Sequence, residues 1–387
     1  MERNLKFIFA SDSFKGSLSS KEAAELLTKA AKAVFPDCIC VGVPVADGGE
    51  GTVDAVVSAA GGEMRPVTVC GPLMEKAGSF YGVLPGGRAI IEMAAASGLP
   101  MVPEKKRNPL YTTTYGTGEL IFDALKSGYR DITVAIGGSA TNDGGMGALR
   151  ALGVKFLDAD GNELSGIGED LEKVEKISMD GLIPEAKEAR FTVMCDVTNP
   201  LTGKQGATYT FGKQKGGTPK ILDRLEAGMI RYADKLEEAA GKSVRDIPGA
   251  GAAGGLGAAL LALLDARLQS GIETVLDLID FDTLLDGADL VVTGEGRIDW
   301  QSAFGKVPGG VAGRAKKRGI PAAALVGGAG PGSESLYHYG IDTILAITDG
   351  PMDLKEAMDH AAELYEKAAE RMFRMLRIGL EIEERRR

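Results

Sequence analysis

The sequence predicts an α/β fold: a largely parallel, Rossmann- or flavodoxin-like sheet domain interrupted by a second, inserted α/β domain with antiparallel hairpins. Three observations predict it. Short apolar or β-branched runs ending in Gly, Ser, Asp or Thr recur along the chain, each followed by a helical pattern, as strands of a parallel sheet alternate with helices. Between about Val67 and Met93 this gives way to two-residue alternation with Gly-Pro and Gly-Gly turn signals, the texture of hairpins. At 387 residues the chain is also too long for one small domain.

Taken in order, the strand runs are KFIFA from Lys6, CVGVPV from Cys40, DITVAI from Asp131, FTVMC from Phe191, LVVTG from Leu290, AAALV from Ala322 and DTILAI from Asp342. Residues 1–66 and 285–387 are assigned to the sheet domain and 67–284 to the insertion, with the active site expected in the cleft between them. Ligands of such sheets bind outside the carboxyl ends of the strands, and each polar cluster of this chain follows one of these runs. The charged span from Asp158 to Leu182 reads as a surface excursion of the insertion. Near the end, Leu354, Ala357, Met358, Ala361, Tyr365, Ala368, Met372 and Leu376 make one apolar helical stripe, followed by a frayed ERRR tail.

Charge and cysteine use narrow the function. A formal net charge of −10 opposes nucleic acid and anionic membranes as partners, while a local Lys or helix N-terminus still admits a small anion. Cys38, Cys40, Cys70 and Cys195 read as buried free thiols; the C-x-C pair, expected on alternate faces of a strand, has no second pair to complete a zinc site. LKFIFA is too short for a signal peptide, and the glycine-rich run from Gly249 stops at Asp265, too interrupted for a membrane span. A cytoplasmic protein is expected, and the choice between monomer and homodimer stays open.

Two familiar nucleotide signatures fail on inspection. Gly249, Gly251 and Gly254 satisfy G-x-G-x-x-G, but no strong strand precedes them and no ribose-binding acid follows; a glycine-rich helix start touching a phosphate or another helix fits better. Gly241-Lys242-Ser243 has Leu236 where a Walker A loop needs Gly. The two His, His338 and His360, sit in a loop and on the last helix, so neither Ser-His-Asp nor Cys-His chemistry has a base. What remains is carboxylate chemistry at Asp12, Asp47, Glu50, Glu92, Asp143, Asp196, Glu295 and Asp299, five of them directly beside Gly, Ser or Asn. Phosphoryl transfer needs cations or N–H groups at the phosphates, carboxylates for Mg²⁺ and a base for the acceptor proton. The turn Ser11-Asp12-Ser13-Phe14-Lys15-Gly16-Ser17 supplies a Lys and hydroxyls, and the loop from Gly137 to Gly145 supplies backbone donors that only Gly lets a ligand approach.

Several segments together resemble the bacterial type 1 glycerate kinase family: SDSFKGSLSS from Ser11, ADGGEGT from Ala46, IEMAAASGL from Ile91, GTGELI from Gly116, IGGSATNDGGMGAL from Ile136, CDVTNPLTG from Cys195, GAGAAGGLG from Gly249, TGEGRID from Thr293 and FGK from Phe304. The resemblance covers essentially the whole length. It implies a two-domain α/β fold, ATP with Mg²⁺, and conversion of D-glycerate to a phosphoglycerate, commonly 2-phosphoglycerate. The alternatives are the 3-phosphate, a related hydroxy acid of threonate type, an NAD(P)-dependent oxidoreductase resting on GAGAAG, and a non-catalytic metabolite-binding protein. One departure is local: Trp300 stands where Gly is expected after RID, and Ser302 where Thr is usual. From residue type and position, Asp196 is assigned the acceptor's proton and Lys15 the charge of the moving phosphoryl group. Asp47 and Asp299, with Glu295 in reserve, are assigned to metal. Ser13, Asp47, Gly138, Ser139, Asn142, Asp143, Asn199 and Arg297 are assigned to substrate or phosphate.

Overall fold

The computed structural model of the protein describes residues 4–46, 48–49, 51–303 and 305–386. In chain order its strands are β1 (Lys6–Ser11), β2 (Ile39–Gly42), β3 (Glu63–Cys70), β4 (Lys76–Leu84), β5 (Arg88–Glu92), β6 (Asp131–Ala135), β7 (Lys155–Leu157), β8 (Lys176–Ser178), β9 (Arg190–Met194), β10 (Arg267–Gln269), β11 (Leu290–Gly294), β12 (Ala322–Val326) and β13 (Thr343–Ala346). The chain divides into two compact units, one of Met1–Asp47, Ser58–Ala60 and Gly271–Arg387, the other of Gly48–Val57 and Gly61–Ser270. These crossings fall earlier than residues 66/67 and 284/285, for two local reasons. β3 pairs with β4 over all eight of its residues and belongs with it. Helix Gly271–Leu278 lies against helix Val307–Lys317, where a Cβ at Gly310 would stand 2.6 Å from Ile272.

The first unit is built on a five-stranded sheet in the order β13-β12-β11-β1-β2, with every pair parallel. Numbered within the unit this is 2-1-3-4-5, the doubly wound flavodoxin-like order, and its direction switches between β1 and β11. Such strands are covered on both faces, so they read as unbroken apolar runs: Phe7, Ile8, Phe9 and Ala10 are all fully buried. Helix Ser20–Val34 starts at a capping box, Ser19 with Glu22, and lays Ala23, Leu27, Ala30 and Ala31 onto the sheet core. The last helix, Ala361–Glu384, adds Leu364, Tyr365, Ala368 and Phe373. It differs from the expected single stripe. The Asp353 side chain caps a separate short helix, Leu354–Asp359, whose Leu354 is 77% exposed, and burial begins only at Ala361.

The second unit carries a six-stranded sheet in the order β10-β9-β6-β5-β4-β3. β3, β4 and β5 form the expected antiparallel hairpins, while β5, β6, β9 and β10 run parallel. Gly86 and Gly87 take φ of +80° and +77° in the turn between β4 and β5, a conformation that favours Gly. The charged span from Asp158 to Leu182 is less peripheral than expected, because it includes β8 and buries Leu164, Leu171, Val174 and Leu182 in the unit's core. The glycine-rich start of helix Leu256–Leu263 meets another chain segment: Gly254, at φ +66°, sits where a Cβ would lie 2.1 Å from Thr141 O.

All four Cys are free. Cys38 and Cys40 do not take alternate faces: residues two apart in extended chain share a face, and their sulfurs lie 3.4 Å apart. Among the described residues no helix is long and apolar enough to cross a membrane.

Candidate functional site

In the first unit the carboxyl ends of β1 and β11 stand side by side at the sheet's switch point. Ser11 is level with Gly294, and Asp12 N donates to Gly294 O at 2.8 Å. Beyond β1 the chain makes a tight turn. Phe14 N and Leu18 N each donate to the other residue's carbonyl, both side chains are buried, and the Phe14 ring meets Tyr365 edge-on at 5.3 Å. These apolar anchors fix the base of the turn, and Gly16, at φ +80°, reverses the chain. Lys15 is thereby held exposed at the tip, with Ser13 half-buried beside it. Ser20 braces the strand end, its hydroxyl donating to Ser11 O at 2.6 Å and accepting from Val45 N at 3.0 Å.

The loop after β11 brings Glu295, Arg297 and Asp299 close together. Glu295 is nearly buried; one carboxylate oxygen accepts from the Ser302 hydroxyl and the other lies 3.7 Å from Lys306 Nζ. Ser302 also accepts from Asp299 N at 3.2 Å, so one buried hydroxyl ties the two acidic positions together. A Thr would supply the same hydroxyl, which accounts for Ser302 at this place. Arg297 is exposed and Asp299 half-buried; both flank Gly330, where a Cβ would stand 3.3 Å from Asp299 Cβ and 3.4 Å from Arg297 Nε. Trp300 is 56% exposed and lies against Gly332. Asp47, assigned to metal and substrate, lies outside the described residues, as do Glu50 and Phe304. Asp299 and Glu295 are hard oxygen donors of the kind Mg²⁺ takes, with Glu295 already engaged by Ser302 and Lys306. Among the described residues no three His, Cys, Asp or Glu side chains gather as a ready metal cage.

In the second unit the neighbouring parallel strands β5, β6 and β9 end together. Glu92, Ala135 and Met194 are level, and two residues further on come Gly137 and Asp196, both exposed. Gly138 is exposed at φ +74°, and Leu99 N donates to its carbonyl at 2.9 Å. Ser139, bridged to Gly98, is nearly buried. Asn199 is half-buried and spends its Nδ2 on Gln205 O at 2.7 Å and on Thr210 Oγ1 at 3.3 Å.

Asn142 and Asp143 are fully buried under this edge, a placement their position in a glycine loop did not foretell. One Asp143 oxygen accepts from Thr114 N at 2.7 Å, Thr114 Oγ1 at 2.8 Å and Gly147 N at 3.3 Å; the other accepts from Gly145 N at 3.1 Å. Burial pushes its carboxyl above the usual range while these donors pull it back. Asn142 donates to Thr208 Oγ1 at 3.3 Å, and Tyr232 OH donates to Gly144 O at 2.9 Å. Beneath them lies Lys215, which sequence reading missed because FGKQKGG reads as solvated charge. The signal was the glycine after it: Gly216, at φ +93°, sits where a Cβ would lie 2.1 Å from Arg107 O. His360 is exposed and its Nδ1 lies 4.0 Å from Glu363.

Comparisons with known proteins agree with one another. A family model described as the glycerate kinase family matches residues 7–377. The glycerate kinase of Bacillus subtilis (strain 168) is 48% identical over 366 residues, 94% of this chain and 96% of that protein. The glycerate 2-kinase of Escherichia coli (strain K12) is 45% identical over 377 residues, 97% of this chain and 99% of that protein. The crystal structure of a candidate glycerate kinase 2 from Salmonella typhimurium LT2 superposes with a TM-score of 0.88 at 43% identity, covering 98% of this chain and 100% of that one.

Proposed function

The chain belongs to the glycerate kinase family and is a kinase, and we propose that it transfers the terminal phosphoryl group of ATP, with Mg²⁺, to the 2-hydroxyl of D-glycerate. The observation that carries this reading is the 45% identity, across 97% of the chain, to a relative named glycerate 2-kinase. In the step, the bond from the glycerate oxygen to the γ-phosphorus forms, the bond from that phosphorus to the bridging oxygen breaks, and ADP leaves. Asp196, exposed at the end of β9, takes the proton of the attacking hydroxyl. Lys15, displayed at the tip of its turn, offsets charge on the moving group. The exposed backbone at Gly137 and Gly138 approaches phosphate or substrate, with Ser139 and Asn199 flanking; Ser13 and Arg297 are further assignments to substrate or phosphate. Asp299 and Asp47, with Glu295 in reserve, would hold Mg²⁺, which would supply neutralisation of the phosphate charge. Asn142 and Asp143 act on the site through the loop they support. A cytoplasmic location is part of the same reading.

Proton-coupled ³¹P NMR of the products from D-glycerate, ATP and Mg²⁺ tests it. A 2-phosphate couples to a single methine proton and gives a doublet. A triplet would assign the 3-hydroxyl, and release of inorganic phosphate without a phosphoglycerate would overturn the reading.

A further inference from the structure

The second unit buries a charge that the reaction as assigned leaves unused. Lys215 is 2% exposed, and its Nζ donates to Thr141 O at 2.6 Å, the only hydrogen-bond acceptor it meets among the described residues. The other side-chain anchors of this loop are neutral: Thr112 Oγ1 on Ala140 O at 3.0 Å, Thr114 on the Asp143 carboxylate, Thr208 with Asn142, and Tyr232 on Gly144 O. The Lys215 backbone cannot drift, because Gly216 is wedged beneath the Arg107 carbonyl. Stability alone does not account for the ammonium. Desolvating a charge costs several kcal/mol, and an apolar side chain of similar volume would fill the space without that cost. Nor is the polar pocket otherwise complete, since the buried Thr141 Oγ1 and Asn142 Oδ1 have no hydrogen-bond partner among the described residues.

We propose that Lys215 is a positioning residue for phosphoryl transfer: by gripping the Thr141 carbonyl beside the Asp143 charge it fixes the course of the Gly137–Gly145 backbone. A charge-assisted bond to a carbonyl is roughly twice as strong as a neutral one, and it holds the peptide at one orientation. That matters because a loop working through backbone N–H groups has no side chain to compensate for a shift of about 1 Å, which can cost on the order of 10²-fold in rate. The inference rests on the reading that this loop serves ATP or glycerate.

Lys215→Met tests it, with two readouts in the full-length protein. The thermal midpoint should equal or exceed that of the wild type, while kcat/KM falls by at least about tenfold, with KM raised for one substrate and unchanged for the other. Amide hydrogen exchange over residues 137–145, measured without ligands, should quicken. A kcat/KM within about twofold of wild type, or unchanged exchange over the loop, overturns the proposal. If Lys215→Met does not fold, Lys215→Gln, which keeps a donor and drops the charge, is read in the same two ways. If the wild type fails to phosphorylate D-glycerate, the functional reading falls, and the exchange measurement alone still decides for or against Lys215.

Discussion

The turn Asp12–Leu18 and the loop Gly137–Gly145 each follow a parallel strand, yet they treat charge in opposite ways. In the first, apolar side chains are sunk to hold the base and a lysine is displayed. In the second, glycines are displayed and an aspartate and a lysine are sunk beneath them. The difference separates two uses of a polar residue after a strand: meeting a ligand, or holding the backbone that meets it. Burial tells them apart where residue type cannot.

Substitutions should divide along the same line. The largest effect is expected at a displayed group: Asp196→Asn should lower turnover by ~10²–10⁴-fold with an unchanged thermal midpoint. A loss under ~100-fold in steady-state assays would move the base elsewhere. Lys15→Ala should cost about 10²-fold in kcat, again without loss of stability. A fall in midpoint with kcat intact would put Lys15 among the supporting residues and break the comparison.

At the buried loop the expected damage is to stability. Gly254→Ala forces a Cβ into the Thr141 carbonyl at a positive φ, which should cost about 1–3 kcal/mol. An unmoved calorimetric midpoint would show that the backing of the loop yields easily. A subtler effect comes from pH. Burial holds the Lys215 ammonium down at about 7 against an ordinary 10.5, opposed by the charge of Asp143. The unfolded chain therefore binds that proton more tightly than the folded one, and wild-type stability gains as pH rises from about 7 towards 10.5. Lys215→Met lacks this gain, so its advantage in midpoint should be greatest near and below pH 7 and shrink through that window. A gap that ignores pH would mean that the buried amine keeps its ordinary 10.5 and stays protonated through the window. The smallest change is expected at Trp300→Gly, within about ±0.5 kcal/mol for an exposed residue, checked by the same calorimetry.

Much of the fold could be read from the chain alone. Each of the seven apolar runs became a strand; the inner ones are apolar without interruption because both faces are covered, while the edge strands β2 and β13 hold no buried residue. The hairpins of β3, β4 and β5 announced themselves through alternation and paired glycines. β10 did not, since three residues, Arg-Leu-Gln, leave no period to detect. Nor did the break at His360, where the apolar spacing continues and only the Asp353 cap marks a second helix. At the candidate site the loops were legible, and the placement of Lys15, Arg297 and Asp196 at strand ends followed from their motifs. The inward turn of Asn142 and Asp143 was not legible, because it depends on Thr114, Thr208 and Tyr232, which arrive from distant parts of the chain.

The central position of β1 has a consequence for synthesis. Its partner β11 begins at Leu290, and the aromatic ring that steadies the Lys15 turn belongs to Tyr365. Although β2 can pair with it early, β1 is therefore made long before the segments that cover its other edge. By then residues 61–270 are already available to form their own sheet, so the unit that holds β1 completes its folding after the other.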